Sequence, residues 1–194
     1  MILEDGTGTG SRLKIDSENR MWARVITESE AQHASEEGDA YNINTGIMLV
    51  TGSTTIAGLY IKNTETRNLI IEAVAVGIGT GSALNPAVVR IVRAPTLGTI
   101  ISDANVVDMN ANRNFNSSKT LSSLAYKGSL GSTFTDGAPV AQFFQTHNGR
   151  LFATINFILP QGTAMGVSIN PNLTAGTSSV YIAAIVNLAP IVGS

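Results

Sequence analysis

Chemistry in this chain has few places to start. Two histidines, His33 and His147, and, beyond residue 40, five carboxylates (Glu65, Glu72, Asp103, Asp108 and Asp136) are the available acids and bases. A nucleophile–histidine–carboxylate arrangement needs an imidazole oriented by an acid and within reach of an activated hydroxyl. For His147 only Asp108 and Asp136 offer themselves, and Thr146-His-Asn-Gly149 reads more simply as a tight turn carrying a solvent-exposed histidine. His33 falls on the polar side of a short helix. Glycoside hydrolysis needs two acids on rigid strands flanking a cleft, yet Glu65 sits in a turn. Glu72 interrupts the apolar run Leu69-Ile-Ile-Glu-Ala-Val and is read as an outward-facing strand residue or as the partner of an arginine such as Arg90 or Arg93. The chain has no Cys, which removes thiolate metal sites, disulfides and cysteine nucleophiles. No segment places carboxylates at alternate positions as a calcium loop would. The expectation is a protein with no catalytic residues, no metal and no cofactor.

Val74-Ala-Val-Gly77-Ile-Gly79-Thr-Gly81 imitates a dinucleotide-binding turn, an apolar strand running into closely spaced glycines. That turn works only when a helix follows and aims its N-terminus at the pyrophosphate. Here Asn85-Pro86 and another strand follow instead, and the next carboxylate is Asp103. The glycines are read as a strand-to-strand loop. Gly6-Thr-Gly-Thr-Gly10 has no strand before it and no helix after it.

The elements that must position these residues are almost all strands. Candidate strands are 46–51, 56–62, 68–78, 87–94, 106–109, 139–145, 150–159, 164–170 and 179–188, separated by Gly, Asn, Pro, Ser and Thr clusters. The expected fold is all-β, an antiparallel β-sandwich of jelly-roll type with an N-terminal extended arm and one short helix. The runs 69–76 and 151–159 are nearly continuously apolar. Both faces of those strands should therefore be covered, one by the opposite sheet and the other by the arm or a partner. The 110–118 tract, with four Asn in nine residues, is read as a loop hydrogen-bonded within itself.

Charge divides the chain. Of 194 residues only 13% are Asp, Glu, Lys or Arg, about half the usual share of roughly 25%. Residues 1–40 hold nine acidic and four basic side chains, whereas residues 41–194 hold five and eight. An arm over 1–40 and a body over 41–194 are the expected units. In the arm, alternation around Leu13, Ile15, Met21 and Val25 predicts two short strands with a turn at 16–19. Thr27-Glu-Ser-Glu30 is a capping box opening a helix of about 28–37, ended by Gly38, with Ala31 and Ala34 as its only apolar face. No charge of one sign clusters enough to recruit nucleic acid or an anionic membrane. No 18-residue apolar stretch and no signal-peptide pattern is seen.

Several stretches resemble virion structural proteins of tailed bacteriophages. They are Leu3-Glu-Asp-Gly-Thr-Gly-Thr-Gly10, Arg20 to Val25, Thr27-Glu-Ser-Glu30 with Gly38 to Gly46, Leu59-Tyr-Ile-Lys-Asn63, Leu69-Ile-Ile-Glu-Ala73, Arg93 to Ile100 and Ala111 to Ser118. The resemblance covers most of the chain and is strongest to capsid decoration, or cement, proteins. It implies a β-sandwich subunit made in the bacterial cytoplasm and carried on the capsid exterior, binding the major capsid protein and itself as a homotrimer. A tail- or fibre-associated protein with a host-glycan-binding loop is the alternative it leaves open. The apolar residues expected to make capsid or subunit contacts are Leu13, Ile15, Met21, Trp22, Val25, Ile26, Phe143 and Phe144.

Overall fold

The computed structural model describes residues 14–15, 21–22, 29–83 and 85–190. The chain divides into two compact units, Met1–Glu30 and Ala31–Ser194. In the first, β1 (Lys14–Ile15) and β2 (Met21–Trp22) pair antiparallel, Lys14 opposite Trp22 and Ile15 opposite Met21. Leu13, Val25, Ile26, Thr27 and the expected turn at 16–19 lie outside the described residues, as do the side chains of Ile15, Met21 and Trp22.

Helix α1 (Glu30–Glu36) ends where Gly38 was expected to end it. Gly38 takes φ 73°, donating to Ser35 O at 3.2 Å, while Asp39 N donates to Ala34 O at 2.7 Å. This paired closure needs a left-handed residue, which glycine supplies without a Cβ penalty. Of the two alanines of its narrow apolar face, Ala34 is buried, so the helix packs on the chain through that residue. The units divide earlier than the change in charge at residue 40, because the helix end is tied to later residues. Asn114 Nδ2 donates to Glu36 O at 2.8 Å and Asn112 Nδ2 to Gly38 O at 2.7 Å.

The second unit continues as β3 (Ala40–Asn44), β4 (Met48–Thr51), β5 (Ile56–Lys62), β6 (Leu69–Ile78), β7 (Ser82–Ala83) and β8 (Ala87–Arg93). Helix α2 (Thr99–Ser102), β9 (Asn105–Val106), β10 (Met109–Asn112) and β11 (Leu124–Lys127) follow. Then come β12 (Ala138–Gln145), β13 (Gly149–Leu159), β14 (Ala164–Asn170), β15 (Leu173–Ala175) and β16 (Thr177–Leu188). Two antiparallel sheets result. Sheet 1 runs β10-β3-β16-β6-β13, with β4 also on β16, and sheet 2 runs β12-β8-β14-β5-β11-β9.

The sheets form a sandwich because alternate residues of both share one core. Ile43, Leu69, Ile71 and Ile182 from sheet 1 meet Leu59, Ile61, Ile91 and Ile169 from sheet 2, all fully buried. Each such side chain contributes roughly 2 kcal/mol. The long strands cross from sheet to sheet at nearly every step: β4 to β5, β5 to β6, β6 to β8, β12 to β13, β13 to β14 and β14 to β16. One step does not, since between β8 and β12 the chain makes an excursion over residues 94–137.

Three expectations change. The strand expected at 106–109 is instead two short ones separated by Val107 and Asp108, because Val107 turns into the core. β3 and β11 were not anticipated. β3 and β4 lie along one partner, β16, and break at Thr45-Gly46-Ile47, where Gly46 has φ 68°. Thr45 Oγ1 accepts from Ile182 N at 3.0 Å and repairs the ladder across the break. The Gly79–Pro86 and Pro171–Gly176 tracts, read as separate loops, are joined by the β7–β15 ribbon.

Candidate interaction surfaces

Among the described residues the candidate acids and His147 do not converge on one site. His147 is half-buried rather than solvent-exposed, its Nε2 2.9 Å from Pro171 O, because the turn tucks against the β14–β15 loop. Asp108 pairs with Lys127, and Asp136 accepts from Thr96 N and Leu97 N, each at 2.9 Å, and from Thr96 Oγ1. The Thr96 hydroxyl and these amides hold the exposed Asp136 carboxyl below its ordinary range. Glu72 pairs at 3.4 Å with Arg113, not with Arg90 or Arg93. It is the extra residue where the β6–β16 register shifts between Ile71 and Ala73, so alternation could not fix its direction. Among the described residues no three His, Asp or Glu side chains are grouped to hold a metal. Among the described residues no helix is long and apolar enough to cross a membrane.

The glycines of the false nucleotide turn serve packing. A Cβ on Gly77 would run into the Tyr181 ring, and one on Gly81 into Leu173. What polar side chains do here is lock loops. Asp39 receives Arg67 Nη1 at 2.6 Å and Lys119 Nζ at 2.9 Å, while Arg67 Nε donates to Ala189 O at 2.7 Å. Burial pushes the Asp39 carboxyl up, but the hydrogen bonds from Arg67 and Lys119 outweigh it and hold it below the usual range. The fully buried Asn63 donates to Arg67 O and Leu159 O at 2.8 and 2.7 Å, and accepts from Glu65 N and Ser123 Oγ.

The Asn-rich tract is not all loop, since Asn110, Ala111 and Asn112 belong to β10, but its remainder is braced by its own side chains as expected. Asn114 N donates to Asn112 Oδ1 at 2.8 Å, Asn116 N to Asn114 Oδ1 at 3.0 Å and Lys119 N to Ser117 Oγ at 3.2 Å. Its tip carries Phe115, fully exposed.

The surfaces are more informative than the titratable groups. On sheet 2 the outer side around β5 and β14 is covered by the excursion: Ile100 and Ile101 of α2, Tyr126 and Phe134 pack over Ala57 and Tyr60. Tyr60 and Tyr126 stack with ring centroids 5.8 Å apart. Sheet 1 has a different outer side. In register across its strands lie Phe152, Ala75, Ala183, Asn44 and Met109, and beside them Thr154, Ala73, Ile185, Asn42 and Ala111. Phe152 is 63% exposed and Ile158, opposite Ile70, 62%. The strand core residues alternate with these rows, so the rows point away from the sandwich interior.

Of the expected contact residues, Phe143 turns inward and packs on the core, while Phe144 turns outward and is 65% exposed. Between the ends of β12 and β13 a groove of about 460 Å³ is lined by Ile91, Val140, Phe157, Ile158 and Met165, with Arg93 at its rim. The sequence signalled apolar strands here; the rows across five strands, drawn from residues 42 to 185, had no signal in the linear order.

No family model and no curated protein matches this chain. Among solved structures, a chain of the infectious bursal disease virus Gx strain structure is similar at 10% identity with a TM-score of 0.20. The match covers 79% of this chain and 41% of that one, and at this score it carries no argument.

Proposed function

We propose that this chain is a structural protein of a bacteriophage virion, a capsid decoration or cement protein that binds the major capsid protein on the particle exterior and assembles with itself as a homotrimer. The observation that carries the reading is the outer side of sheet 1. Its two rows through Phe152 and Thr154 consist of Ala, Ile, Phe, Met, Thr and Asn, uncharged residues that can be buried against another surface without the desolvation cost of ions. The sequence resemblance supplies the setting. We take the sandwich as a jelly roll; the nested order β3-β16-β6-β13 against β12-β8-β14-β5 supports this, being the pair of Greek keys such a fold requires.

The test is co-sedimentation of the purified chain with capsids assembled from the same virus's major capsid protein. The full chain is expected to saturate the shells. A form lacking residues 2–28, a deletion that stops before the tied helix α1, is expected to keep its far-ultraviolet circular dichroism and lose occupancy. Absence of the full chain from the shell pellet would overturn the reading. Unchanged occupancy of the shortened form would sink the role given to the arm.

One observation favours a second reading, a tail- or fibre-associated protein touching a host glycan. Phe115 stands fully exposed on a loop held by its own asparagines, a placement suited to stacking on a sugar ring. Glycan-array binding that disappears in Phe115→Ala would support that reading.

A further inference from the structure

We infer that the outer face of sheet 1, centred on β13, β6 and β16, is the surface on which a second copy of this chain packs. The inference rests on the assembling role proposed above; a face that packs on its own copy joins copies in two-fold pairs, and a three-fold ring would need a separate contact. An antiparallel sandwich normally presents polar residues outward. Here the outward positions of β6 and β16 include Ile70, Ala73, Ala75, Gly77, Tyr181, Ala183 and Ile185, and those of β13 include Phe152, Thr154 and Ile158. Charges on this side are Arg150, in the row of Gly77 and Tyr181, and Glu72, which lies on β6 between Ile70 and Ala73 and pairs with Arg113.

A face this poor in charge favours a copy of itself over a partner selected by charge, because Glu72 and Arg113 compensate one another and Arg150, next to the start of β13, is exposed and can keep its contact with water. Its size agrees. Five strands about 4.8 Å apart, averaging about eight residues at roughly 3.3 Å, span about 600 Å² per copy. Two copies would cover about 1,200 Å², the lower limit for a stable specific interface.

The adjoining edge is less suited to the contact. β13 is 11 residues long with Arg150 as its only charge, an edge open to strand pairing. Its register shifts between Thr154 and Phe157, however, and Asn156 takes φ 49°. A second strand could follow that edge for only half its length. The face has no such interruption in the rows through Phe152 and Thr154.

The test is molar mass by sedimentation velocity at about 10 µM for the full chain, Phe152→Glu, Ile158→Glu and the control Val106→Glu, all substituted at exposed positions. The full chain and Val106→Glu are expected to run as oligomers and the other two as single chains, corresponding to at least about a hundredfold weaker association. Circular dichroism melting separates dissociation from unfolding, and unchanged single-chain melting is expected. A full chain that is monomeric, or a Phe152→Glu protein that keeps its mass, overturns the inference. So does a mass that falls only when residues 2–28 are deleted, which would transfer the contact to the arm. Capsid co-sedimentation separates this result from the proposed function: a single-chain Phe152→Glu protein that still decorates shells leaves the function standing. An oligomer that ignores shells removes the function and leaves the interface.

Discussion

The two long sides of the sandwich are finished in opposite ways. On the side of β3 and β5 the excursion adds β10 to sheet 1 and β11 and β9 to sheet 2, then lays α2 and Phe134 over the outer residues of β5 and β14. Gly128 marks how closely it fits, since a Cβ there would strike the Ala57 carbonyl. On the other side β12 and β13 are bare edges, with Val140, Phe144, Phe152 and Ile158 in solvent. The chain had the means to cover apolar strands and used them on one side only. The difference separates apolar surface that holds the monomer together from apolar surface available to a neighbour.

The largest test of that contrast lies on the closed side. Asn63 is fully buried and fills its hydrogen-bonding capacity between the β5 end, the β13 end and the excursion at Ser123. Asn63→Ala should cost about 3 kcal/mol in urea unfolding, because it strands Leu159 O and the Glu65 amide without partners. A loss below about 1 kcal/mol would mean that the excursion is not locked.

Asp39 gives an intermediate effect with a pH signature. Its folded pKa is depressed, so its stabilisation is complete above the ordinary aspartate value of about 3.9 and is lost as pH falls through the lower folded value. Asp39→Asn should lower stability at pH 7 by about 1–2 kcal/mol, the half-exposed Lys119 contributing the smaller part, and should flatten the decline below pH 4. An equally steep acid decline in the variant would assign it to other carboxylates.

How much of this was legible follows from where each signal resides. Alternation marked 56–62 and 164–170 at their observed limits, because each is a central strand bounded by turn residues. It missed β11, whose Leu-Ala-Tyr-Lys is short and gains its place from β5 rather than from its own pattern. It also missed α2, four residues held by Gly98 O accepting from Ile101 N and Ser102 N. The continuous apolar runs of β6 and β13 predicted cover on both faces, whereas in the single chain the outward Phe152 and Ile158 of β13 are exposed. They could not show which residues share that outward face, because Met109, Ala183 and Phe152 are brought into one row only by strand register.

The smallest expected effect sharpens the comparison most. Phe144 is outward on bare β12, opposite Val88, and a substitution there removes almost no buried area from the single chain. In the Phe152→Glu background, Phe144→Ser should change unfolding free energy by less than about 0.5 kcal/mol, the ordinary range for surface sites. In the oligomeric protein the same substitution reports whether the contact reaches around the sandwich edge. If β12 belongs to the interface, melting temperature at fixed concentration should fall with Phe144→Ser, since partner binding stabilises the folded chain by mass action. If the contact is confined to sheet 1, the oligomer should melt unchanged. A loss above about 1 kcal/mol in the single chain would show instead that this side is packed by the chain itself, and the contrast between the two sides would fail.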